Sequence, residues 1–287
     1  MLRRLLWLVA CWVAMKIHLV AIDLDGTLLT SANEISSDTA AILRTIRRRE
    51  GVHVVLASAR PPRSVLPFYE ALDLDAPMIN YNGALVFDPP SGRILLHTPL
   101  AGEIARRIAE LARREQADVL VSAEVLDRWY TDRYDASYVT QTGRLFRPDM
   151  VAPMSEWLNQ PVTKLLLLGP AGRMTDLGRR IATEFRFDVT VTQTEGELLQ
   201  ITHSTVSKAQ ALRTVAGELS VAREQVMAIG DNANDLEMLR WAGVGVAMAN
   251  APQEVLAAAD YVTDHNDAEG VAKAIEVLIM GGRGGAV

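Results

Sequence analysis

With 287 residues, of which 49% are apolar and 22% charged, the chain has the size and composition of a soluble protein of one large or two modest domains. A formal net charge of −6 argues against nucleic acid as a main partner, since proteins that bind it usually carry basic surfaces. The single cysteine excludes an internal disulfide and a cysteine-rich metal site, and the five scattered histidines lack the spacing of a zinc site.

The N-terminal residues 1–14 combine two arginines with an apolar run, and they allow two interpretations. A signal or anchor is one of them, and the residues before Cys11 resemble a lipoprotein attachment site. The run ends at Lys16, however, so it is shorter than the roughly 20 residues that a membrane-spanning helix needs. The other interpretation, which we favour, is that translation starts at Met15 and MKIHLVAIDLDG opens the first strand.

Strand-like and helix-like segments alternate in the first part of the chain. Residues 17–22 and 52–57 predict two strands, and between them Ser36 or Ser37 can cap a helix that Gly51 closes. Strand, helix and strand at this spacing predict a right-handed βαβ unit in a parallel sheet.

The pattern changes near residue 85. A turn at 89–92 joins two short strand-like pieces, and further strands and helices are predicted near 103–116, 118–122, 163–168 and 173–185. This α+β pattern interrupts an α/β pattern. It therefore predicts an inserted domain over residues 85–200, within a core formed by residues 15–84 and 201–287.

The α/β pattern resumes after residue 200. Helices and strands are again predicted in alternation, at 207–219, 226–230, 236–241, 244–248, 252–258, 261–263 and 268–279. The glycine-rich tail, 281–287, predicts a flexible end.

Polar clusters stand at four places where predicted strands end or helices begin, which is where parallel α/β sheets bind ligands. They are DLDGT at 23–27, SAR at 58–60, SK at 207–208 and GDNANDLEM at 230–238. Their carboxylates, from Asp23, Asp25, Asp231 and Asp235, can hold a hard cation such as Mg²⁺. Ser58 and Lys208 can hold anionic oxygens.

Together these clusters supply the parts of phosphoryl transfer. An aspartate can attack phosphorus, a second carboxylate can act as acid and base, and a cation with a lysine can offset the transferred charge. Each cluster taken alone is typical of a turn, a helix cap or a solvated helix residue. Only their combination at strand ends indicates the chemistry.

The sequence also resembles a known family. VAIDLDGTLL, LASAR, VSKAQAL and GDNANDLEML resemble the four motifs of the haloacid dehalogenase-like hydrolase superfamily, and their order and spacing resemble the Cof-type subfamily IIB. INYNGA at 79–84 and GVAMANAPQEV near the end agree with it. The resemblance implies an α/β fold, with a Rossmann-like parallel-sheet core and an inserted α+β cap domain that closes over the site.

The resemblance implies roles for the four carboxylates. Asp23 would be the nucleophile and a ligand of Mg²⁺, and Asp25 would be the general acid and base, with its backbone carbonyl on the metal. Asp231 would ligate Mg²⁺. Asp235 would support the metal site from behind the ligands and orient the active-site lysine.

The resemblance also implies the phosphate-binding residues, which would be Ser58, Lys208 and Asn234. Two residues depart from the family pattern, because Ala59 and Ala209 stand where glycine is usual. Neither change removes a functional group.

The predicted function is an Mg²⁺-dependent phosphatase that acts on a small phosphorylated metabolite through an aspartyl-phosphate. Two alternatives stay open: a phosphomutase on the same scaffold, and a phosphate- or metal-binding protein without turnover. The partner is expected to be the metabolite alone, without nucleic acid or a stable membrane partner, in a cytoplasmic monomer or homodimer.

The substrate is not identified by the sequence, and sugar phosphates, pyridoxal phosphate and flavin mononucleotide all fit. Candidate specificity residues of the insert are Glu124, Asp127, Arg128, Trp129 and Tyr130. Trp129 and Tyr130 are interpreted first as packing residues of the insert.

Overall fold

The computed structural model of the protein describes residues 16–135, 137–138 and 141–281. The extension at 1–14 and the tail beyond residue 281 lie outside the described residues. The chain divides into two compact units. The first contains the described parts of residues 1–59, 65–95 and 207–287, and the second contains those of residues 60–64 and 96–206.

The described residues form strands and helices that we number in chain order. The strands are β1 (Leu19–Asp23), β2 (His53–Ala57), β3 (Met78–Asn80), β4 (Leu85–Asp88), β5 (Arg93–His97), β6 (Leu120–Val125), β7 (Arg128–Thr131), β8 (Met150–Val151), β9 (Lys164–Leu168), β10 (Val189–Glu195), β11 (Leu198–His203), β12 (Val226–Gly230), β13 (Val244–Ala247) and β14 (Tyr261–Val262). The α-helices are α1 (Ser37–Thr45), α2 (Pro62–Ala71), α3 (Gly102–Glu115), α4 (Gln141–Leu145), α5 (Met154–Trp157), α6 (Ala171–Glu184), α7 (Lys208–Glu218), α8 (Leu236–Trp241), α9 (Gln253–Ala258) and α10 (Gly270–Leu278).

The sheet of the first unit has β1 near its centre, in the order β14-β13-β12-β1-β2-β3-β4-β5. β1 runs parallel to β2 and β12, with Ile22 opposite Ile229 and Asp23 opposite Ala57. The four residues of β1 before Asp23 are fully buried, as expected of a parallel strand that is covered on both faces. The carboxyl ends of β1, β2 and β12 therefore meet at one edge of the sheet.

The first helix begins and ends where local chemistry predicts. Ser36 is its N-cap, and its hydroxyl accepts a hydrogen bond from the Thr39 N–H at 3.1 Å. A π-helical turn, Ile46–Glu50, continues the helix, and Gly51 ends it with φ of 65°. The apolar side of the helix joins the core through Leu43 and Ile46.

The hairpin of β4 and β5 bears on the predicted start of the insert, which was placed over residues 85–200, because residues 85–95 belong to the first unit. β4 pairs antiparallel with β3, with Asn80 opposite Leu85, so both strands of the hairpin extend the first sheet. A hairpin pattern gives the pairing of its own two strands, but it does not give the sheet that the pair joins. The compact second unit begins at Leu96 and ends at Val206, apart from residues 60–64.

The second unit is an α+β layer with its own core. Its sheet has the order β10-β11-β9-β6-β7-β8, antiparallel except for the pair β7–β8. Helices α3 and α6 bury Ile108 and Ile181 against strand residues that include Val121 and Leu165. The predicted helices at 103–116 and 173–185 correspond to α3 and α6.

No helix within residues 16–281, as far as they are described, is both long and apolar enough to cross a membrane.

Candidate active site

Asp23 stands at the end of β1 with only 5% of its surface exposed. The apolar run before it builds a buried strand, and the parallel register places Ser58 and Asp231 just beyond the ends of the neighbouring strands. A carboxylate in such a place is costly unless charged or hydrogen-bonding groups face it. The surrounding residues supply such groups.

Lys208, the first residue of α7, is the main partner of Asp23. Its side chain is fully buried, and its Nζ donates hydrogen bonds to Asp23 Oδ1 and, at 2.7 Å, to Asp235 Oδ1. Ser207 caps this helix by accepting the Gln210 N–H at 3.2 Å. The cap fixes where the helix starts, and the lysine is therefore aimed from a rigid element.

Asp235 is held by the turn that follows β12. Its Oδ2 accepts hydrogen bonds from the backbone N–H groups of Asp231, at 3.1 Å, and Asn232, at 3.0 Å. Its Oδ1 accepts the bond from Lys208. Asp235 thus joins the lysine to the turn that carries Asp231.

The turn after β1 packs directly against Asp231. Thr27 Oγ1 donates to Asp231 Oδ1 at 2.8 Å. Gly26 has φ of 80°, and a Cβ at that position would collide with the Asp231 carboxylate. Glycine is therefore required here both by the backbone conformation and by the close approach. Asn250 adds a brace, since its Nδ2 donates to the Gly26 carbonyl at 2.8 Å and lies 3.4 Å from Asp231 Oδ2.

The site holds more carboxylates than positive charges, and burial together with these charges shifts the pKa values of its residues. Burial raises the pKa of the Asp23 carboxyl well above its ordinary value, the Lys208 charge opposes this, and Asp235 adds to it. Burial also raises the pKa of Asp231 to about 6, against the hydrogen bond from Thr27. Burial alone would lower the pKa of Lys208, but the charges of Asp23 and Asp235 outweigh it and keep the ammonium protonated.

The carboxylates fit a divalent cation. Asp23, Asp231 and Asp235 each offer an oxygen, and these atoms lie within 4.8 Å of one another. Three carboxylates face one ammonium, so an excess of negative charge remains in a buried place. Oxygen ligands of this kind suit Mg²⁺.

The other predicted site residues lie in the same unit. Ser58 is buried directly after β2, and its N–H donates to the Ile79 carbonyl at 2.9 Å. Asp25 is exposed, and its charge contributes to the raised pKa of Asp231. Asn234 is exposed and lies on the 3₁₀ turn Ala233–Asp235.

Three residues that touch this site were not assigned a role from the sequence: Thr27, Asn82 and Asn250. Each lies inside a segment that was noted, namely DLDGT, INYNGA and GVAMANAPQEV. Asn82 Oδ1 accepts the Asn234 Nδ2 at 2.9 Å. The noted segment INYNGA was the available signal for Asn82, but its partner comes from a distant part of the chain.

Among the specificity candidates of the second unit, Glu124 and Asp127 are occupied by ion pairs. Arg63, which belongs to the same unit, donates to Glu124 Oε2 and to Asp127 Oδ1, each at 2.9 Å. Tyr130 stacks on Trp157 with ring centroids 6.2 Å apart. This agrees with the interpretation of Tyr130 as a packing residue.

Comparison with known proteins gives a consistent result. The profile of the haloacid dehalogenase-like hydrolases matches residues 20–275. A Bacillus subtilis protein, the 5-amino-6-(5-phospho-D-ribitylamino)uracil phosphatase YitU, is 32% identical over 270 residues, which are 90% of this chain and 96% of that protein. The structure of a haloacid dehalogenase-like hydrolase from Bacteroides thetaiotaomicron is similar, with a TM-score of 0.83, 30% identity, and coverage of 92% of this chain and 100% of that one. The subclass IIB sugar phosphatase BT4131 shares the fold, with a TM-score of 0.76 and 21% identity, over 90% of this chain and 98% of the other.

Proposed function

Since the chain belongs to the haloacid dehalogenase-like hydrolases and is a phosphatase of the Cof type, we propose that it uses Mg²⁺ and an aspartyl-phosphate to hydrolyse small phosphate monoesters. The observation that carries this proposal is the cluster of Asp23, Asp231 and Asp235 around the buried ammonium of Lys208. It combines a nucleophile, carboxylates for a cation and a positive charge for phosphate oxygens.

In the first step, Asp23 forms a bond to phosphorus as the bond from phosphorus to the ester oxygen breaks. Asp25 gives its proton to that oxygen, and the alcohol leaves. Lys208 fixes the attacking carboxylate and offsets negative charge on the phosphoryl group. Ser58 and Asn234 bind the phosphoryl oxygens.

In the second step, Asp25 takes a proton from water, and the water oxygen attacks phosphorus. The bond to Asp23 breaks, which releases inorganic phosphate and restores the carboxylate. Asp23 and Asp231 would hold the Mg²⁺, which supplies charge neutralisation and orientation. Asp235 is assigned the orienting role, because both of its oxygens already accept hydrogen bonds within the protein.

The substrate is proposed as a sugar phosphate or a cofactor phosphate. YitU is named for a phosphorylated ribitylamino-uracil, so this ester is the first compound to test. The insert, predicted as the cap, would supply the contacts that select among such esters.

The test is phosphate release from a panel of esters, with Mg²⁺ and with EDTA. The panel contains the ribitylamino-uracil phosphate, hexose phosphates, pyridoxal phosphate and flavin mononucleotide. We expect release from some of them with Mg²⁺ and a loss of release with EDTA. Activity that EDTA leaves unchanged would contradict the metal requirement.

The matched variants are Asp23→Asn and, as a control on an exposed aspartate of α1, Asp38→Asn. Asp23→Asn should lower kcat by about three orders of magnitude or more, because the amide is no nucleophile. Asp38→Asn should behave as the wild type. Substantial turnover by a folded Asp23→Asn protein would rule out the nucleophile assignment.

A further inference from the structure

The loop between β3 and β4 has an unusual backbone. Tyr81, Asn82 and Gly83 follow one another with φ of 52°, 58° and 102°. Left-handed backbone is uncommon for residues with a Cβ, and Tyr81 is fully buried as well. Such a conformation persists only where the surrounding contacts impose it, and these positions are concentrated at functional sites.

The backbone of this loop encloses Ser58. The Asn82 N–H donates to the Ser58 carbonyl at 3.0 Å, while the Ser58 N–H donates to the Ile79 carbonyl at 2.9 Å. The loop therefore binds the carbonyl of Ser58, while β3 binds its N–H. The left-handed backbone at Asn82 aims its N–H at this carbonyl.

The side chain of Asn82 reaches a second polar cluster. Its Oδ1 accepts the Nδ2 of Asn234 at 2.9 Å. Asn234 is exposed, and an exposed side chain has many conformations unless a partner restrains it. The bond to Asn82 supplies that restraint.

The third residue of the loop contacts the segment that carries the lysine. A Cβ on Gly83 would collide with the carbonyl oxygen of Ser207, the N-cap of α7. One loop thus touches three of the polar clusters, at Ser58, Ser207 and Asn234. Residues 81–84 of the loop carry no charged side chain.

We propose that Asn82 is a positioning residue of the phosphoryl pocket, whose amide oxygen holds Asn234 and whose left-handed backbone holds Ser58. The inference rests on the proposed function, because it assumes that Ser58 and Asn234 receive the oxygens of a phosphoryl group. An oxyanion needs donors that are already in place, so weaker restraint of Asn234 lowers the affinity for phosphate.

The first experiment compares Asn82→Gly with Asn33→Gly. Glycine accepts the left-handed backbone and keeps the N–H that binds Ser58, so Asn82→Gly removes only the amide. Asn33 has φ of 65° and is exposed, which makes it a matched control in the same unit. The readouts are the inhibition constant of inorganic phosphate, KM and kcat, with thermal unfolding to check the fold.

We expect Asn82→Gly to raise the inhibition constant of phosphate and KM by the same factor, roughly fivefold or more, with a smaller fall in kcat. Asn33→Gly should leave all three unchanged. An Asn82→Gly protein with the wild-type inhibition constant would overturn the inference, while an active wild type that EDTA inhibits would leave the proposed function intact.

A double-mutant cycle with Asn234→Ala tests whether Asn82 acts through Asn234. The double variant should bind phosphate as weakly as Asn234→Ala alone. Asn82 acts by restraining the Asn234 side chain, and Asn234→Ala has already removed that side chain. Additive effects of the two changes would overturn the inference.

Asn234→Ala also keeps the test decisive if Asn82→Gly fails to fold. Asn234 is exposed, and its replacement changes no residue of the loop 81–83. Wild-type phosphate affinity in Asn234→Ala would overturn the inference. A wild type that neither hydrolyses an ester nor binds phosphate in calorimetry would overturn the proposed function and the inference together.

Discussion

Two buried lysines show how neighbouring charges decide the state of a residue. Lys208 and Lys164 are both buried, and burial lowers the pKa of each. Lys208 faces two hydrogen-bonded carboxylates, which raise its pKa above the ordinary value. Lys164 has the charge of Glu124 nearby, but Arg63 opposes it, and the pKa falls to about 8. The first lysine is thus kept as a permanent cation, which is what a phosphate-binding site needs.

Lys164 makes the stability of the protein depend on pH. Its pKa is about 8 in the folded chain and about 10.5 in the unfolded one, so the cost of burying its charge is fully present below pH 8. The unfolded chain binds the extra proton between pH 8 and 10.5, and stability therefore rises across this window. Between pH 8 and 10.5, we expect the unfolding free energy of the wild type to rise by on the order of 2–3 kcal/mol relative to that of Lys164→Met.

The measurement for Lys164 is urea unfolding of both proteins at several pH values from 7 to 10.5. The control is Lys273→Met, because the Lys273 side chain is 49% exposed and pairs with Asp264. The difference in unfolding free energy between the wild type and Lys273→Met should stay constant from pH 7 to 10.5. Parallel curves for the wild type and Lys164→Met would contradict the lowered pKa.

At the scale of elements, the loop between β3 and β4 is built around Gly83. Its φ of 102° is hard for any residue with a Cβ, and an added Cβ would collide with the Ser207 carbonyl oxygen. Gly83→Ala should therefore cost about 3 kcal/mol of unfolding free energy and lower phosphatase activity, since Ser207 begins the helix of Lys208.

The variant Gly92→Ala separates the cost of a positive φ from the cost of the collision with Ser207. Gly92 also has a positive φ, 70°, but a Cβ there meets open space. This variant should lose only about 1 kcal/mol and keep its activity. Chemical denaturation and phosphate release measure both variants. Equal losses at the two positions would show that the approach to Ser207 is unimportant.

At the scale of the whole molecule, the parallel sheet brings together carboxylates that are more than 200 residues apart in the chain. A cation bound by Asp23 and Asp231 would link the ends of β1 and β12, and a ligand that binds only the folded state stabilises it. Mg²⁺ at a hundredfold excess over its Kd should add about 2.7 kcal/mol to the unfolding free energy of the wild type.

Asp231→Asn should lose most of this stabilisation and raise the half-saturating Mg²⁺ concentration for activity about tenfold or more. Asp176→Asn, at an exposed aspartate of α6, is the control and should respond to Mg²⁺ as the wild type does. Thermal unfolding with and without Mg²⁺ and a metal titration of activity are the measurements. An unchanged titration would exclude Asp231 as a ligand.

The family, the enzyme class and the fold class were predicted from the sequence, and the comparisons confirm them. They depend on local patterns, namely apolar runs that end in acidic or hydroxyl residues and helices that begin at Ser36 and Ser207. The roles of the site residues remain predictions. The structure brings Asp23, Lys208, Asp231 and Asp235 together, as their positions at strand ends indicate.

The sequence by itself determined which residue types stand at the ends of the strands, because strand and helix periodicity and capping are local properties. The tertiary structure alone decided the partners across long distances, such as Asn82 with Asn234 and Asn250 with Gly26, and it decided which sheet the hairpin of β4 and β5 joins. Hydrogen bonds between remote segments depend on how the whole chain packs. A left-handed asparagine looks like any turn residue until its neighbour is known.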